Sequence, residues 1–226
     1  STFAVTKETD PEDQVTTFEY DENGNITKID DEAAGDVTAD WNAGGLNELN
    51  AVTDGNGIET SYDYDAYGNL IEVSRPIVDD AGDPIDHGAG AIGPAVTTYT
   101  VSSSSGTRGD VTQIEDPRGS ITDLTYDGTT GDLLEVEWLV DAAPSPDVTD
   151  KVTYTYDGAG RVVESVAPRG YRKLDPGDPT PDPADWTTSY AYDDLNRVLS
   201  SDDPLANGGS RTYDADGNVA TETDAD

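Results

Sequence analysis

Along 226 residues the chain returns about eight times to one short phrase: an aromatic residue, usually followed by Asp, then polar residues ending in Gly, then a branched apolar residue. The clearest copies are Tyr20-Asp21-Glu22-Asn23-Gly24-Asn25-Ile26, Tyr64-Asp65-Ala66-Tyr67-Gly68-Asn69-Leu70, Tyr156-Asp157-Gly158-Ala159-Gly160-Arg161-Val162 and Tyr213-Asp214-Ala215-Asp216-Gly217-Asn218-Val219. Weaker copies lie between them. Tyr126-Asp127 meets its glycine one residue late at Gly131, Tyr192-Asp193 carries Asn196 in glycine's place, and Trp41-Asn42 keeps Gly45 without Tyr or Asp. The most degenerate copy runs from Tyr99 to Val111. Tyr20 and Trp41 are 21 residues apart, as are Tyr192 and Tyr213, and insertions lengthen the other spacings. A period of this size marks an array, in which each unit buries its apolar face against its neighbours.

Turn chemistry predicts that each unit is a β-hairpin. In Asp21-Glu22-Asn23-Gly24 the Asp side chain accepts bonds from the turn backbone and Gly supplies the positive φ that follows a type I turn. Such turns close hairpins through a glycine bulge. Asn196 fits the same role, since Asn tolerates a left-handed conformation. The leading strand of each unit alternates: Val152, Tyr154 and Tyr156 share one face, and Tyr62 with Tyr64, Tyr190 with Tyr192 and Phe18 with Tyr20 repeat the stripe. Ten of the twelve tyrosines fall in these strands. The trailing strand resists this reading. Ile26 and Ile29, Leu70 and Val73, Val111 and Ile114, and Leu133 and Val136 are apolar at i and i+3, which a flat strand cannot place on one face without a bulge.

A second turn is expected between hairpins, with Asp116-Pro117-Arg118-Gly119 as its best copy and Ala167-Pro168-Arg169-Gly170 as an echo. Asp10-Pro11, Asp54-Gly55-Asn56-Gly57 and Asp203-Pro204 are partial matches. Together, Tyr-Asp-x-x-Gly-(Asn/Arg)-apolar and the intervening Asp-Pro-x-Gly resemble the YD repeat of the Rhs and teneurin-like superfamily, from about Asp10 to Asp224. The resemblance implies a ribbon of hairpins spiralling into a hollow shell or extended wall that encloses a toxic polypeptide or displays it at a cell surface. No plug segment or toxin domain follows the repeats in these residues, so the chain reads as a segment of a longer protein or repeating assembly. The expected fold is therefore all-β: tandem hairpins in a continuous twisted antiparallel sheet, part of a shell, tube or filament wall. One array spans residues 1–226, with Pro-, Gly- and Asp-rich insertions at 74–98, 139–150 and 171–188 placed at hairpin edges.

The formal charge is −36, from 48 acidic and 12 basic residues, which disfavours nucleic acid and acidic membranes as partners. Aromatic side chains and a repeating pattern argue against the disorder that such charge otherwise brings. The chain has no Cys, so neither disulfides nor thiolate chemistry arise. The resemblance places it outside the cell, secreted or at the surface.

Candidate chemistry is sparse. Asp214-Ala215-Asp216-Gly217-Asn218 and Asp21-Glu22-Asn23-Gly24-Asn25 resemble the opening of a calcium loop, but the same residues are what the hairpin turn requires, and the downstream Glu of an EF-hand is missing. No cofactor is expected; calcium is the one ion that crowded carboxylates could hold. His87 is the single histidine and reads as a loop residue. No metal set or hydrolytic triad can be assembled, and the chain is expected not to be an enzyme. Trp41, Trp138 and Trp186 could stack on sugar rings but read better as packing. The residues that matter are then those of the repeat: Tyr20, Asp21, Gly24; Trp41, Gly45; Tyr64, Asp65, Gly68; Tyr126, Asp127, Gly131; Tyr156, Asp157, Gly160; Tyr192, Asp193, Asn196; Tyr213, Asp214, Gly217. They point to a structural wall that encapsulates or presents a toxin or effector, its expected partners being further repeats of the same chain or of neighbouring copies, and an enclosed toxin or a surface glycan. The alternative is a surface adhesin or extracellular filament that recognises glycans.

Overall fold

The computed structural model describes residues 4–31, 35–42, 45–78, 93–104, 108–141, 148–172, 179–205 and 207–224. His87 and the middles of the three expected insertions lie outside them. Seventeen β-strands and two 3₁₀ turns, Pro168–Gly170 and Pro183–Trp186, make up the regular structure of the described residues. None of their helices is long and apolar enough to cross a membrane. The all-β, tandem-hairpin expectation holds.

The chain divides into two compact units, Ser1–Thr100 with Glu115–Gly119, and Val101–Ile114 with Ser120–Asp226. The first unit holds β1 (Lys7–Thr9), β2 (Val15–Tyr20), β3 (Ile26–Asp31), β4 (Val37–Trp41), β5 (Leu49–Thr53), β6 (Glu59–Tyr64), β7 (Leu70–Arg75) and most of β8 (Ala95–Val101). Each strand there pairs antiparallel with the next. The second unit holds most of β9 (Val111–Glu115), then β10 (Ile121–Tyr126), β11 (Leu133–Asp141), β12 (Val148–Tyr156), β13 (Val162–Val166), β14 (Thr187–Tyr192), β15 (Val198–Asp202), β16 (Gly208–Tyr213) and β17 (Val219–Thr223). From β10 onward it too runs as an antiparallel meander.

The register resolves the odd spacing of the trailing strands. Tyr20 faces Ile26, Glu19 faces Lys28 and Phe18 faces Ile29, so Thr27 is an extra residue. That bulge shifts the phase and returns Ile29 to the face of Phe18 and Tyr20. The same slip sets Leu70 against Tyr64 and Val73 against Tyr62, and Leu133 against Tyr126 and Val136 against Leu124. Irregular register recurs beside Trp41, Tyr156, Tyr192 and Tyr213. An i, i+3 apolar pair is thus the signature of a strand that begins with a bulge.

No described apolar side chain is fully buried. The ten strand tyrosines are instead all half-buried, so stabilisation comes from side chains lying against neighbouring hairpins and from the ladder itself, as in other arrays.

The strands extend into the expected insertions. β7 ends at Arg75 and β8 begins at Ala95, while β11 and β12 cover 139–141 and 148–150. The Ala167-Pro168-Arg169-Gly170 echo closes as the Asp116 turn does, the Gly170 amide bonding the Ala167 carbonyl as the Gly119 amide bonds that of Asp116, each at 2.9 Å, but the two differ beyond that bond. Gly119 has φ of 80°, and Asp116 Oδ1 accepts from the Arg118 amide at 2.8 Å. Ala167 offers no such acceptor, and its segment continues as a 3₁₀ turn. Gly170 serves close packing there: a Cβ would lie 2.8 Å from Val166 Cγ1 and 3.2 Å from Trp186 Cβ.

Candidate functional site

The repeat residues assemble at the hairpin tips into a constellation with up to three parts. The first is a carboxylate that staples the turn. Asp21 Oδ1 accepts from the backbone amides of Asn23 (2.8 Å) and Asn25 (2.9 Å), and Asp21 Oδ2 accepts from Asn25 Nδ2 (2.8 Å). Asp65 does the same with Tyr67, Asn69 and the Asn69 side chain, and Asp214 with Asp216, Asn218 and the Asn218 side chain. At Asp157 and Asp193 the side-chain donor is an arginine, with Arg161 Nε at 2.7 Å and Arg197 Nε at 2.6 Å. Asp127 staples a turn one residue longer through Thr129 and Thr130. These bonds hold the charged form: the Asn69 side chain and amide lower the carboxyl pKa of Asp65, Arg161 does so at Asp157, and the Asn218 amide and side chain do so at Asp214. Asp21 and Asp214, which open the two calcium-like stretches, are thus engaged by their own turns. Among the described residues no three His, Asp or Glu side chains are grouped to hold a metal.

The second part is the left-handed residue. Gly24, Gly68, Gly131, Gly160 and Gly217 have φ between 74° and 91°, and Asn196 has 63°. In the Trp41 copy this place belongs to Asn47, at φ 65°, and not to Gly45. That loop is longer, since the Asn42 amide bonds the Glu48 carbonyl where Asp21 bonds Asn25. Sequence reasoning chose the first glycine after the aromatic and so missed Asn47.

The third part is a stitch. Where a trailing strand begins, its ladder to the next hairpin has run out: β13 pairs with β14 only as far as Glu164–Ser189, and β15 with β16 as far as Ser200–Ser210. Across that gap, at four junctions, the aromatic tip of the next hairpin donates to the first trailing carbonyl. Tyr192 Oη bonds the Val162 carbonyl and Tyr213 Oη the Val198 carbonyl, each at 2.8 Å. Tyr156 Oη bonds Leu133 at 2.8 Å, and Trp41 Nε1 bonds Ile26 at 2.9 Å. Trp41 therefore replaces tyrosine without losing the function of the position. A hydrogen-bond donor on a long flat apolar body is what the place requires.

The residue after the glycine links one turn to the next. Arg161 Nη1 reaches the Asp193 carbonyl at 2.8 Å and Asn196 Oδ1 at 3.1 Å, while its guanidinium lies 4.9 Å from the Tyr192 ring centroid. Arg197 lies 4.3 Å from the Tyr213 centroid. Asn25 and Asn47 exchange side-chain bonds of 2.7 and 3.0 Å. The recurrence of Asn or Arg four residues after Asp was the signal for this role.

Of the other tryptophans, Trp186 lies under Arg169 at 5.2 Å, and Trp138 pairs across the ladder with Thr122 and Asp150.

Residues 4–37 and 41–76 match the family model described as RHS Repeat. Those two stretches, in the first third of the chain, carry the likeness to this repeat. No curated protein matches the chain. Among solved structures, it is similar to a TcdB2–TccC3–Cdc42 crystal structure at 13% identity and TM-score 0.42, covering 93% of this chain and 14% of that one. A Photorhabdus luminescens Tc holotoxin pore carrying TccC3-D651A gives 14% identity and TM-score 0.41, covering 96% and 13%. A porin-like protein from Bacteroides uniformis gives 14% and 0.34, covering 96% and 91%. The chain thus spans about one seventh of the length of the first two.

Proposed function

We propose that this chain is a non-catalytic wall segment of a secreted or cell-surface RHS-repeat protein, a run of hairpins that encloses or presents a toxin or effector. The observation that carries the reading is the use of the repeat side chains. The aromatic tip and the residue after the glycine join hairpin to hairpin, while the Asp carboxylate holds its own turn and, at Asp157, the linking arginine, which is the work of a wall. The family match supports the same role. Further repeats are its immediate partners, and the polypeptide behind the wall is the distal one.

Electron micrographs of the native full-length product test this. A closed or tubular shell with protease-protected cargo is the expected result; naked fibres without cargo, or a dispersed monomer that turns over a substrate, would overturn it.

A further inference from the structure

Across β10, β11 and β12 the side chains that alternate with the tyrosine face form rungs of their own. One rung is Asp123, Glu137 and Lys151, and the next is Thr125, Glu135 and Thr153. One step in the other direction Leu139 faces Thr149 and lies beside Ile121. Ile121, Asp123, Glu137, Trp138, Leu139 and Thr149 line a cavity of about 230 Å³. Its apolar part is open to solvent, with Ile121 37% exposed.

Asp123 and Glu137 are like charges set directly opposite each other, an arrangement that destabilises a sheet. Neutral donors hold both. Gln113 Nε2 donates to Asp123 Oδ1 at 2.8 Å, and Thr149 Oγ1 donates to Glu137 Oε1 at 2.6 Å. Lys151 faces Glu137 in the ladder but sends its ammonium to Glu135 Oε2 at 2.9 Å, where it lies 4.8 Å from the Tyr171 ring centroid. Among the described residues neither Asp123 nor Glu137 is in a salt bridge.

The same face shows how this chain covers an apolar spot. Val166, which faces Thr153 in the ladder, lies against Gly170, and Gly170 in turn lies against Trp186. The adjoining Tyr171 hydroxyl meets Thr153 Oγ1, and Arg172 Nε answers the Asp150 carboxylate at 2.7 Å. Apolar bulk with a cation beside it is the cover used there. At Ile121 and Leu139 the described residues supply none.

We propose that this slot is a docking site for an extended basic segment of a partner polypeptide with the pattern apolar-x-Arg or apolar-x-Lys. Ile121 and Asp123 are two residues apart on one strand, as are Leu139 and Glu137 on the next. An extended chain laid along them therefore sets its residues i and i+2 over the apolar and the acidic pair. The apolar side chain fills the hollow, and the cation bridges the two carboxylates and relieves their repulsion. A net charge of −36 draws such a segment to the chain, and the slot gives it a register. This surface lies on the face away from the tyrosines and stands whether or not the hairpins enclose anything.

The probe is the capped pentapeptide Gly-Leu-Gly-Arg-Gly, titrated into the full chain and followed by NMR chemical shifts. Saturable shifts centred on Ile121–Asp123 and Glu137–Leu139 are expected. Replacing the Leu of the peptide by Gly should weaken binding about fivefold through lost apolar burial. Replacing its Arg by Gln should weaken it about tenfold through lost charged bonds. In the protein, Asp123→Asn with Glu137→Gln should weaken binding about tenfold as well, whereas Asp63→Asn with Glu72→Gln should leave it unchanged. Asp63 and Glu72 also face each other, but the neighbouring pair on their face is Ser61 and Ser74, with no apolar hollow between them. The peptide variants leave the protein untouched, so the test does not depend on how the protein variants fold. Absence of saturable binding, equal binding of the peptide without Leu, an equal loss in the Asp63 and Glu72 variant, or shifts spread over the whole acidic surface would each overturn the proposal.

Discussion

Two hairpin junctions, Tyr20 to Trp41 in the first unit and Tyr156 to Tyr192 in the second, solve one geometric problem with different chemistry. Both close the gap at the start of a trailing strand with an aromatic donor, to Ile26 in one and to Val162 in the other. Both also catch the left-handed residue of the next turn, Asn47 or Asn196, with the residue after the preceding glycine. The first junction does this with a pair of neutral amides. The second uses a guanidinium that simultaneously clamps Asp157, bonds the Asp193 carbonyl and covers the Tyr192 ring. Position is conserved between the junctions while charge is not. The repeat therefore specifies donors at places in space rather than particular residues.

The comparison breaks most readily at the linking residue. Arg161→Ala should cost about 2 kcal/mol, since charged hydrogen bonds and a ring contact go together. Asn25→Ala should cost about half that, as neutral bonds do. Hydrogen exchange resolved by hairpin measures both, and equal losses would show that the guanidinium adds nothing beyond an amide. At the stitch the junctions should agree: Trp41→Phe and Tyr192→Phe each remove one donor from a half-buried ring, at about 1 kcal/mol.

Acid should affect both units in the same direction. Asp65, Asp157 and Asp193 have pKa values lowered in the fold by their turn donors. Their stabilisation is complete above the ordinary aspartate range and is lost as pH falls through the lowered folded values, in the region below about pH 4. Carboxyl carbon titration should show all three midpoints below the usual aspartate value. Added NaCl should raise the midpoint of Asp157, which faces Arg161, and leave that of Asp65, which faces Asn69, nearly unmoved. The smallest expected effect is on heat stability. Salt screens the excess of acidic groups and should raise the apparent Tm of the whole chain, with the second unit gaining less because its arginine contacts are screened too. A flat response from millimolar to molar salt would remove charge repulsion as a significant term.

Local chemistry was the legible part of this protein. An Asp that accepts from amides two and four residues on, and a Gly or Asn at positive φ, act within a handful of neighbouring residues, so turns at Asp21, Asp65, Asp157, Asp193 and Asp214 could be read from composition and order. The spacing of Ile26 and Ile29 likewise contained the bulge, although only the register showed that Thr27 is the extra residue. Three features depended on partners distant along the chain: the carbonyl that tips such as Tyr192 and Trp41 meet, the choice of Asn47 over Gly45, and the packing that requires a glycine at position 170. Short-range bonds are written in consecutive residues; the contacts that turn a row of hairpins into an array exist only after neighbouring strands have settled side by side.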